Sequence, residues 1–144
     1  MNNRSRARGW ALQALYAWEQ RGGDVSQAIP VLHGLFENLR VSPANRPYSE
    51  VLVRLVATNL PRIDRAIVES LTNWRMERLS VIDRAILRLG TAEMMFVDDV
   101  PARIVIREAM QLAEKYGTHE SARFVNGVLD AVMRRVAPGE SAPA

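Results

Sequence analysis

The sequence predicts an all-α protein, a compact single domain of about seven helices over residues 1–137 with a flexible tail at residues 138–144. Apolar residues recur at the i, i+3, i+4 and i+7 spacing of helices rather than alternating as in strands. The 144 residues suit one domain, and the 48% apolar and 24% charged content is ordinary for a globular protein. Glycine, proline and capping residues separate the periodic segments.

A glycine pair separates the first two predicted helices. The first covers about residues 5–21, and glycines at residues 22–23 end it. Either Asp24 or Ser26 is expected to cap the second, over about residues 27–39. The apolar stripe of the first helix consists of Ala7, Ala11, Ala14, Leu15 and Trp18.

Prolines divide the next part of the chain. Residues 41–47 are predicted to form a loop, followed by a third helix over about residues 48–58. Pro61 leaves two alternatives open, a kink in that helix or a fourth helix with Asn59 as its cap. The pattern continues to about residue 73. The apolar positions are Val51, Leu52, Leu55 and Val56, then Ile63, Ile67, Val68 and Leu71.

The fifth helix is predicted from its N-terminal cap. Residues 74–79 are typical of a connector, and Ser80 with Asp83 three residues later resembles a capping box. The helix is therefore expected over about residues 81–97. Its apolar side consists of Ile82, Ala85, Ile86, Leu89 and Phe96.

Two further helices complete the predicted bundle. Acids at residues 98–99 followed by Pro101 favour the start of the sixth, and Gly117 favours its end. Thr118 is expected to cap the seventh, over about residues 119–136. Their stripes are Val105, Ala109, Leu112, Ala113 and Tyr116, then Ala122, Val125, Leu129, Val132 and Val136.

The residue inventory excludes several classes of function. Cysteine is absent, which excludes disulfides, thiolate zinc sites and a thiol nucleophile. His33 and His119 lack Glu-x-x-His spacing, and no phosphate-binding loop, GxSxG or HExxH motif occurs. No uncharged stretch approaches the about 20 residues of a membrane span. We therefore expect no catalytic residue, metal or cofactor, and a cytoplasmic protein without a membrane partner.

Arginine dominates the basic residues, with 18 arginines among 19 Lys and Arg and a net charge of +3. Arg4, Arg6 and Arg8 precede the first acid, Glu19, and form a candidate polyanion-binding arm of exposed side chains on the helix that carries Tyr16. Two alternatives stay open. Codon bias of a GC-rich genome explains the arginine excess equally well, and the arm is otherwise a solvated, frayed terminus.

A second candidate group lies where the last two helices meet. Tyr116 and Phe124 flank the start of the seventh helix beside Arg123, and aromatic side chains next to arginine suit stacking on unpaired bases. Alternatively, both aromatics close a hydrophobic rim. Gly127 inside a helix predicts close contact with another backbone. Asn126 is then either a partner for a neighbouring helix end, which we favour, or a ligand group.

Several segments carry a family resemblance, in order over nearly the whole chain. They are Arg8 with residues 11–16, residues 81–89 with Glu93, Val100-Pro101, Glu108-Ala109, Leu112-Ala113, Tyr116-Gly117 and Phe124-Val125-Asn126-Gly127-Val128-Leu129-Asp130. In these segments the chain resembles the NusB family of bacterial transcription antitermination factors. The last segment is the most specific, residues 22–47 match only in being helical, and Ser5 interrupts the family's usual arginine-rich run.

The resemblance implies a protein that binds the boxA element of ribosomal-RNA leader transcripts together with ribosomal protein S10 (NusE). The complex would join other Nus factors on the RNA polymerase elongation complex and suppress premature termination. The RNA-binding residues that the resemblance implies are Arg4, Arg6, Arg8, Tyr16, Arg103, Tyr116, Glu120 and Phe124. Arg123 is added to this set because it lies beside Phe124.

Two other classes of function stay open. One is a purely structural helical subunit, a homodimer whose contact the Met94-Met95 pair, expected to be exposed, could join. The other is a detached accessory RNA-binding domain of an RNA methyltransferase, which the end of the chain at Ala144 without a catalytic domain disfavours.

Overall fold

The computed structural model describes residues 2–140, the last four of them by backbone alone. Short 3-10 turns at Val25–Gln27, Pro43–Asn45 and Met76–Arg78 lie between the helices. No β-strand occurs among the described residues, and the predicted all-α class is confirmed. The helices are α1 (Asn3–Gln20), α2 (Ala28–Asn38), α3 (Arg46–Thr58), α4 (Leu60–Ser70), α5 (Val81–Phe96), α6 (Ala102–Tyr116) and α7 (Ser121–Glu140).

The helices group into two compact units whose boundary falls between Thr58 and Asn59. In the N-terminal unit, α1, α2 and α3 pack against one another. In the C-terminal unit, α7 packs on α4, α5 and α6. Each unit therefore has its own apolar interior, built from the buried stripes of its helices.

The predicted stripe of α1 is confirmed. Ala7, Ala11, Ala14, Leu15 and Trp18 are all buried. The helix begins at Asn3, two residues earlier than predicted, because the Asn2 side chain accepts a hydrogen bond from the Ser5 amide at 2.8 Å.

The predicted glycine stop after α1 is also confirmed. Gly22 and Gly23 have φ angles of +108° and +69°, which residues other than glycine rarely adopt. The Trp18 indole N–H donates to the Asp24 carbonyl at 2.6 Å across this turn. Asp24 accepts from the Ser26 amide at 3.0 Å, and so caps the 3-10 turn before α2 rather than α2 itself.

Helix α3 differs from its prediction in start and in face. It begins at Arg46 because Pro47 fits the first turn, where no amide donor is needed. The Ser49 hydroxyl donates to the Ala7 carbonyl at 2.6 Å, which turns Ser49 and Val53 toward α1. Val51, predicted to lie in the core, is consequently 46% exposed.

Glu50 on α3 supplies a pH-dependent contribution to stability. Its carboxylate lies 2.8 Å from His33 Nε2 and 3.0 Å from an Arg54 nitrogen, and the hydrogen bond to His33, then that to Arg54, lowers the pKa of Glu50 below its usual 4.5. Because the pKa is lower in the folded state, ionised Glu50 stabilises the fold above about pH 4.5, and this stabilisation is lost as the pH falls through the folded-state pKa.

We expect Glu50→Gln to make the free energy of urea unfolding differ less between pH 7 and pH 3 than it does in wild type. An unchanged difference would contradict this.

In the C-terminal unit, the alternatives at Pro61 are resolved in favour of a new helix. Pro61 lies in the first turn of α4, and Asn59 occupies the N-cap position without a capping side-chain hydrogen bond. The Arg88 guanidinium binds both oxygens of Asp64, at 2.9 and 3.0 Å, and joins α5 to α4. Val68, predicted to be apolar core, is 51% exposed because α4 buries Ile63, Ala66 and Ile67 instead.

The close helix contact predicted at Gly127 is found at Gly90 instead. A Cβ atom on buried Gly90 would lie 2.9 Å from Leu129 Cδ1, so a side chain there would crowd the α5–α7 contact. Gly127 is exposed, and a Cβ would meet nothing within 4 Å. The packing prediction for Gly127 is therefore wrong, because this side of α7 faces away from the neighbouring helices.

The ends of α5, α6 and α7 test the predicted caps. The Ser80 hydroxyl accepts from the Asp83 amide at 3.1 Å, which confirms the predicted cap of α5. Helix α7 starts at Ser121 rather than at residue 119 and continues to Glu140, past the predicted end at residue 136. The rest of the predicted tail, residues 141–144, lies outside the described residues. Across residues 2–140, no helix is both long and apolar enough to span a bilayer.

Candidate nucleic-acid interface

The arginine arm, defined as Arg4, Arg6 and Arg8, lies on the first turns of α1. Arg4 and Arg6 are exposed, whereas Arg8 is buried with 4% of its surface exposed. The guanidinium carbons of Arg4 and Arg8 lie 4.3 Å and 5.6 Å from the centre of the Tyr48 ring on α3. The expectation of three exposed arginines is therefore wrong for Arg8, because the packing of α1 against α3 covers it.

The charge of the arginine arm opposes the dipole of α1. The N-terminus of a helix carries a partial positive charge, so cations are unfavourable there and anions are favourable. The first turn of α1 contains no acidic side chain. The cation–π contact of the exposed Arg4 with Tyr48 offsets this cost by about 0.5–1 kcal/mol. This end of α1 therefore concentrates positive charge where a phosphate group would find guanidinium partners.

Three other predicted RNA-binding residues belong neither to the arginine arm nor to the pocket described next. Tyr16, further along α1, exposes 37% of its surface. Arg103 is exposed on the first turn of α6. Tyr116, the last residue of α6, is half-buried, and Lys115 Nζ lies 5.3 Å from the centre of its ring.

A pocket of about 720 Å³ lies in the C-terminal unit, between the connector at residues 71–80 and the start of α7. We call it the corner pocket. Of the predicted RNA-binding residues, it brings together Glu120, Arg123 and Phe124. Its complete lining is Trp74, Arg78, Leu79, Ser80, Asp83, Thr118, His119, Glu120, Ser121, Arg123 and Phe124.

Trp74 is the aromatic lining residue that was not among the predicted RNA-binding residues. Its ring centre lies 5.9 Å from that of Phe124 with the planes 66° apart, an edge-to-face arrangement. Phe124 is half-buried by this corner, as the rim alternative expected, but Trp74 remains 57% exposed. An aromatic residue in a short connector has no helix face to pack on, and that signal was available in the sequence.

The connector that carries Trp74 is held by Arg84 of α5. One guanidinium nitrogen of Arg84 donates to the Met76 and Leu79 carbonyls, each at 3.0 Å. These bonds bracket the 3-10 turn and fix it against the start of α5. The wall of the corner pocket is therefore held by hydrogen bonds from the Arg84 side chain to the connector backbone.

Both signs of charge line the corner pocket. Arg78 and Arg123 supply cations, and Asp83 and Glu120 supply carboxylates. One carboxylate oxygen of Asp83 is buried without a hydrogen-bond partner among the described residues. The pocket therefore offers both acceptors for N–H groups and cations for phosphate groups. Elsewhere too, residues 2–140 contain no cluster of three or more His, Asp or Glu suited to a metal ion.

The turn between α6 and α7 positions Glu120, Arg123 and Phe124. The Ser121 hydroxyl accepts from the Thr118 amide at 3.0 Å, and the Thr118 hydroxyl accepts from the Glu120 amide at 3.4 Å. Thr118 therefore caps this turn instead of the first turn of α7, which corrects its predicted role. These bonds hold the start of α7 against the end of α6.

Two further expectations about surface residues need correction. Asn126 is exposed, so the favoured role as a partner for a neighbouring helix end is wrong, since no helix among residues 2–140 covers it. Met94 and Met95 are half-buried rather than exposed, because α5 packs on its neighbours along this turn.

Comparison with known proteins identifies the family. The NusB family model matches residues 5–134. The transcription antitermination protein NusB of Sorangium cellulosum is 42% identical over 132 residues, 92% of each chain. A T. maritima NusB structure has a TM-score of 0.84 and 35% identity, covering 96% of this chain and 95% of its own. A crystal structure of antitermination factors NusB and NusE in complex with double-stranded RNA contains a chain with a TM-score of 0.83 and 29% identity, covering 94% and 98%. With its helix order and its most specific motif at residues 124–130 in place, this chain belongs to the NusB family.

Proposed function

We propose that this chain is a non-catalytic transcription antitermination factor of the cytoplasm. It binds the boxA element of nascent ribosomal-RNA leader transcripts together with ribosomal protein S10 (NusE), on the RNA polymerase elongation complex with other Nus factors. The curated relatives carry the name transcription antitermination protein, and the similar complex contains NusB, NusE and RNA. The observation that carries the proposal is the arginine arm, which places two exposed guanidinium groups at the positive end of α1.

The RNA-contacting residues we propose form one set in each unit. In the N-terminal unit they are Arg4 and Arg6 of the arginine arm, which supply phosphate contacts, and Tyr16, which supplies a stacking surface. Arg8 is buried beside Tyr48 and contributes to the arm through packing. In the C-terminal unit they are Arg103, Tyr116, Glu120, Arg123 and Phe124. The division of labour follows from the side chains, because guanidinium groups suit phosphates, while a carboxylate and aromatic rings suit base edges and faces.

The electrostatics of the chain favour binding in partnership. A net charge of +3 and one short arginine cluster neutralise few phosphates. Few phosphate contacts leave affinity near the non-specific range of about 10⁻⁴–10⁻⁶ M. A protein partner docked beside the RNA surface adds contacts, and coupling of this kind is reciprocal.

We therefore expect S10 to tighten RNA binding by at least about fivefold, the low end of typical couplings. The measurement is a pair of titrations of labelled single-stranded boxA RNA at fixed salt, into this protein alone and into its mixture with S10. S10 alone is titrated as the control for its own RNA affinity. Equal dissociation constants with and without S10 would remove the partner from the binding unit, and self-association without RNA binding would favour a structural homodimer.

A further inference from the structure

We propose that Trp74 is a stacking platform for an unpaired nucleobase, which the corner pocket receives. The inference rests on the proposed RNA-binding function and adds a contact residue and the part of the nucleotide that this residue binds. Three features carry it, namely the exposure of the indole, the charges around it and the rigidity of its connector.

Trp74 is the most exposed of the large apolar side chains among the described residues, at 57%. Its contact with Phe124 is edge-to-face, at 5.9 Å between ring centres. Such a contact uses one face of one ring at most, so Phe124 leaves at least one indole face uncovered. An uncovered aromatic face in a pocket is the surface on which single-stranded nucleic acids stack their bases.

The charges of the corner pocket select a nucleobase over a phosphate beside the ring. Asp83 and Glu120 line the pocket, and carboxylates repel phosphate but accept hydrogen bonds from amino and imino groups of bases. Arg78 and Arg123 also line it and can hold the phosphates that flank the stacked base. Its volume of about 720 Å³ lies within the range of roughly 300–1,000 Å³ that is typical of ligand sites.

The part of the connector that follows Trp74 is anchored. Arg84 holds the Met76 and Leu79 carbonyls at 3.0 Å each, so this part of the connector is fixed against α5 before RNA binds. A rigid aromatic surface loses little conformational entropy on binding, and more of the stacking energy then appears as affinity. Arg84 acts here through the connector, as a positioning residue.

Trp74 also provides its own optical signal. The chain has three tryptophans. Trp18 is 2% exposed and Trp10 is half-buried, so Trp74 is the indole most accessible to a stacked base. We expect a single-stranded RNA oligonucleotide to quench the intrinsic fluorescence of the wild-type protein. We expect Trp74→Phe to lose most of that quenching, the remainder coming from Trp10 on the helix of the arginine arm.

The RNA affinity of Trp74 variants distinguishes a base stacked on the indole from RNA that only lies close to it. Stacking is worth about 1–3 kcal/mol per base, so Trp74→Leu should weaken RNA binding by about fivefold or more. Trp74→Phe keeps an aromatic face and should bind within about twofold of wild type. Both substitutions are at an exposed position, and unchanged thermal unfolding of the two variants confirms that folding is intact.

Several outcomes would overturn the proposal. Equal RNA affinity of Trp74→Leu and wild type, or quenching in Trp74→Phe as large as in wild type, would remove Trp74 from the RNA contact. Weaker S10 binding by Trp74→Leu with unchanged RNA binding would assign the indole to a protein interface instead. A wild-type protein that binds no RNA, alone or with S10, would sink the proposed function itself, which distinguishes the two failures.

Discussion

Replacing Gly117 with alanine is expected to destabilise the protein by about 1–3 kcal/mol, the usual cost of overpacking. A Cβ atom at this position would lie 2.6 Å from the Ser121 Cβ and 2.9 Å from the Ala113 carbonyl oxygen. The carbonyl belongs to the backbone of α6 and cannot rotate away. The φ angle of Gly117 is −97°, which any residue adopts, so the requirement for glycine is one of space.

Gly127→Ala is the matched control for this prediction. Gly127 lies within α7, and a methyl group there would extend into open space, so alanine should stabilise the helix by about 0.5–1 kcal/mol. Urea unfolding of the two variants and wild type measures both effects. The same sign for both substitutions would contradict the steric account of Gly117. Because Gly117 precedes the turn that positions Glu120 and Phe124, its variant should also bind RNA more weakly, while Gly127→Ala should not.

The second large effect is expected at the arginine arm. Under the proposed function, the double substitution of Arg4 and Arg6 by alanine removes two phosphate contacts. On single strands each contact contributes about 0.7 to the slope of log K against log salt, so the slope should fall by about 1.4. At 0.1 M salt this corresponds to roughly 25-fold weaker binding. The loss should be similar for different RNA sequences, because phosphate contacts carry no sequence information.

Stability separates Arg8 from the other two arginines. Arg4 and Arg6 are exposed, so the double variant should unfold within about 0.5 kcal/mol of wild type. Arg8 is 4% exposed beside the Tyr48 ring, and Arg8→Ala should lower the unfolding midpoint through lost packing. RNA titrations over a series of salt concentrations, with thermal unfolding of each variant, measure both properties. A salt slope equal to that of wild type in the double variant would exclude the arm from the RNA surface.

Local signals in the sequence determined the helices and most of their ends. Four such signals are the apolar period of α1, the glycines after it, the Ser80 cap and the break before Pro61. Each depends on residues within about four positions of one another, so it can be recognised from the sequence. The motif at residues 124–130 likewise pointed to the family without a structure.

Tertiary structure alone decided which side of each helix is covered. Arg8 is buried because α3 lies over it, Gly90 rather than Gly127 is the close contact because Leu129 packs there, and Val51 is exposed because Ser49 bonds to α1. Trp74 joined the corner pocket only because the connector and the start of α7, more than forty residues apart in the chain, meet in the C-terminal unit. Periodicity specifies an apolar face to within a residue or two, but the covering helix is chosen by contacts between segments remote in sequence, which no local pattern encodes.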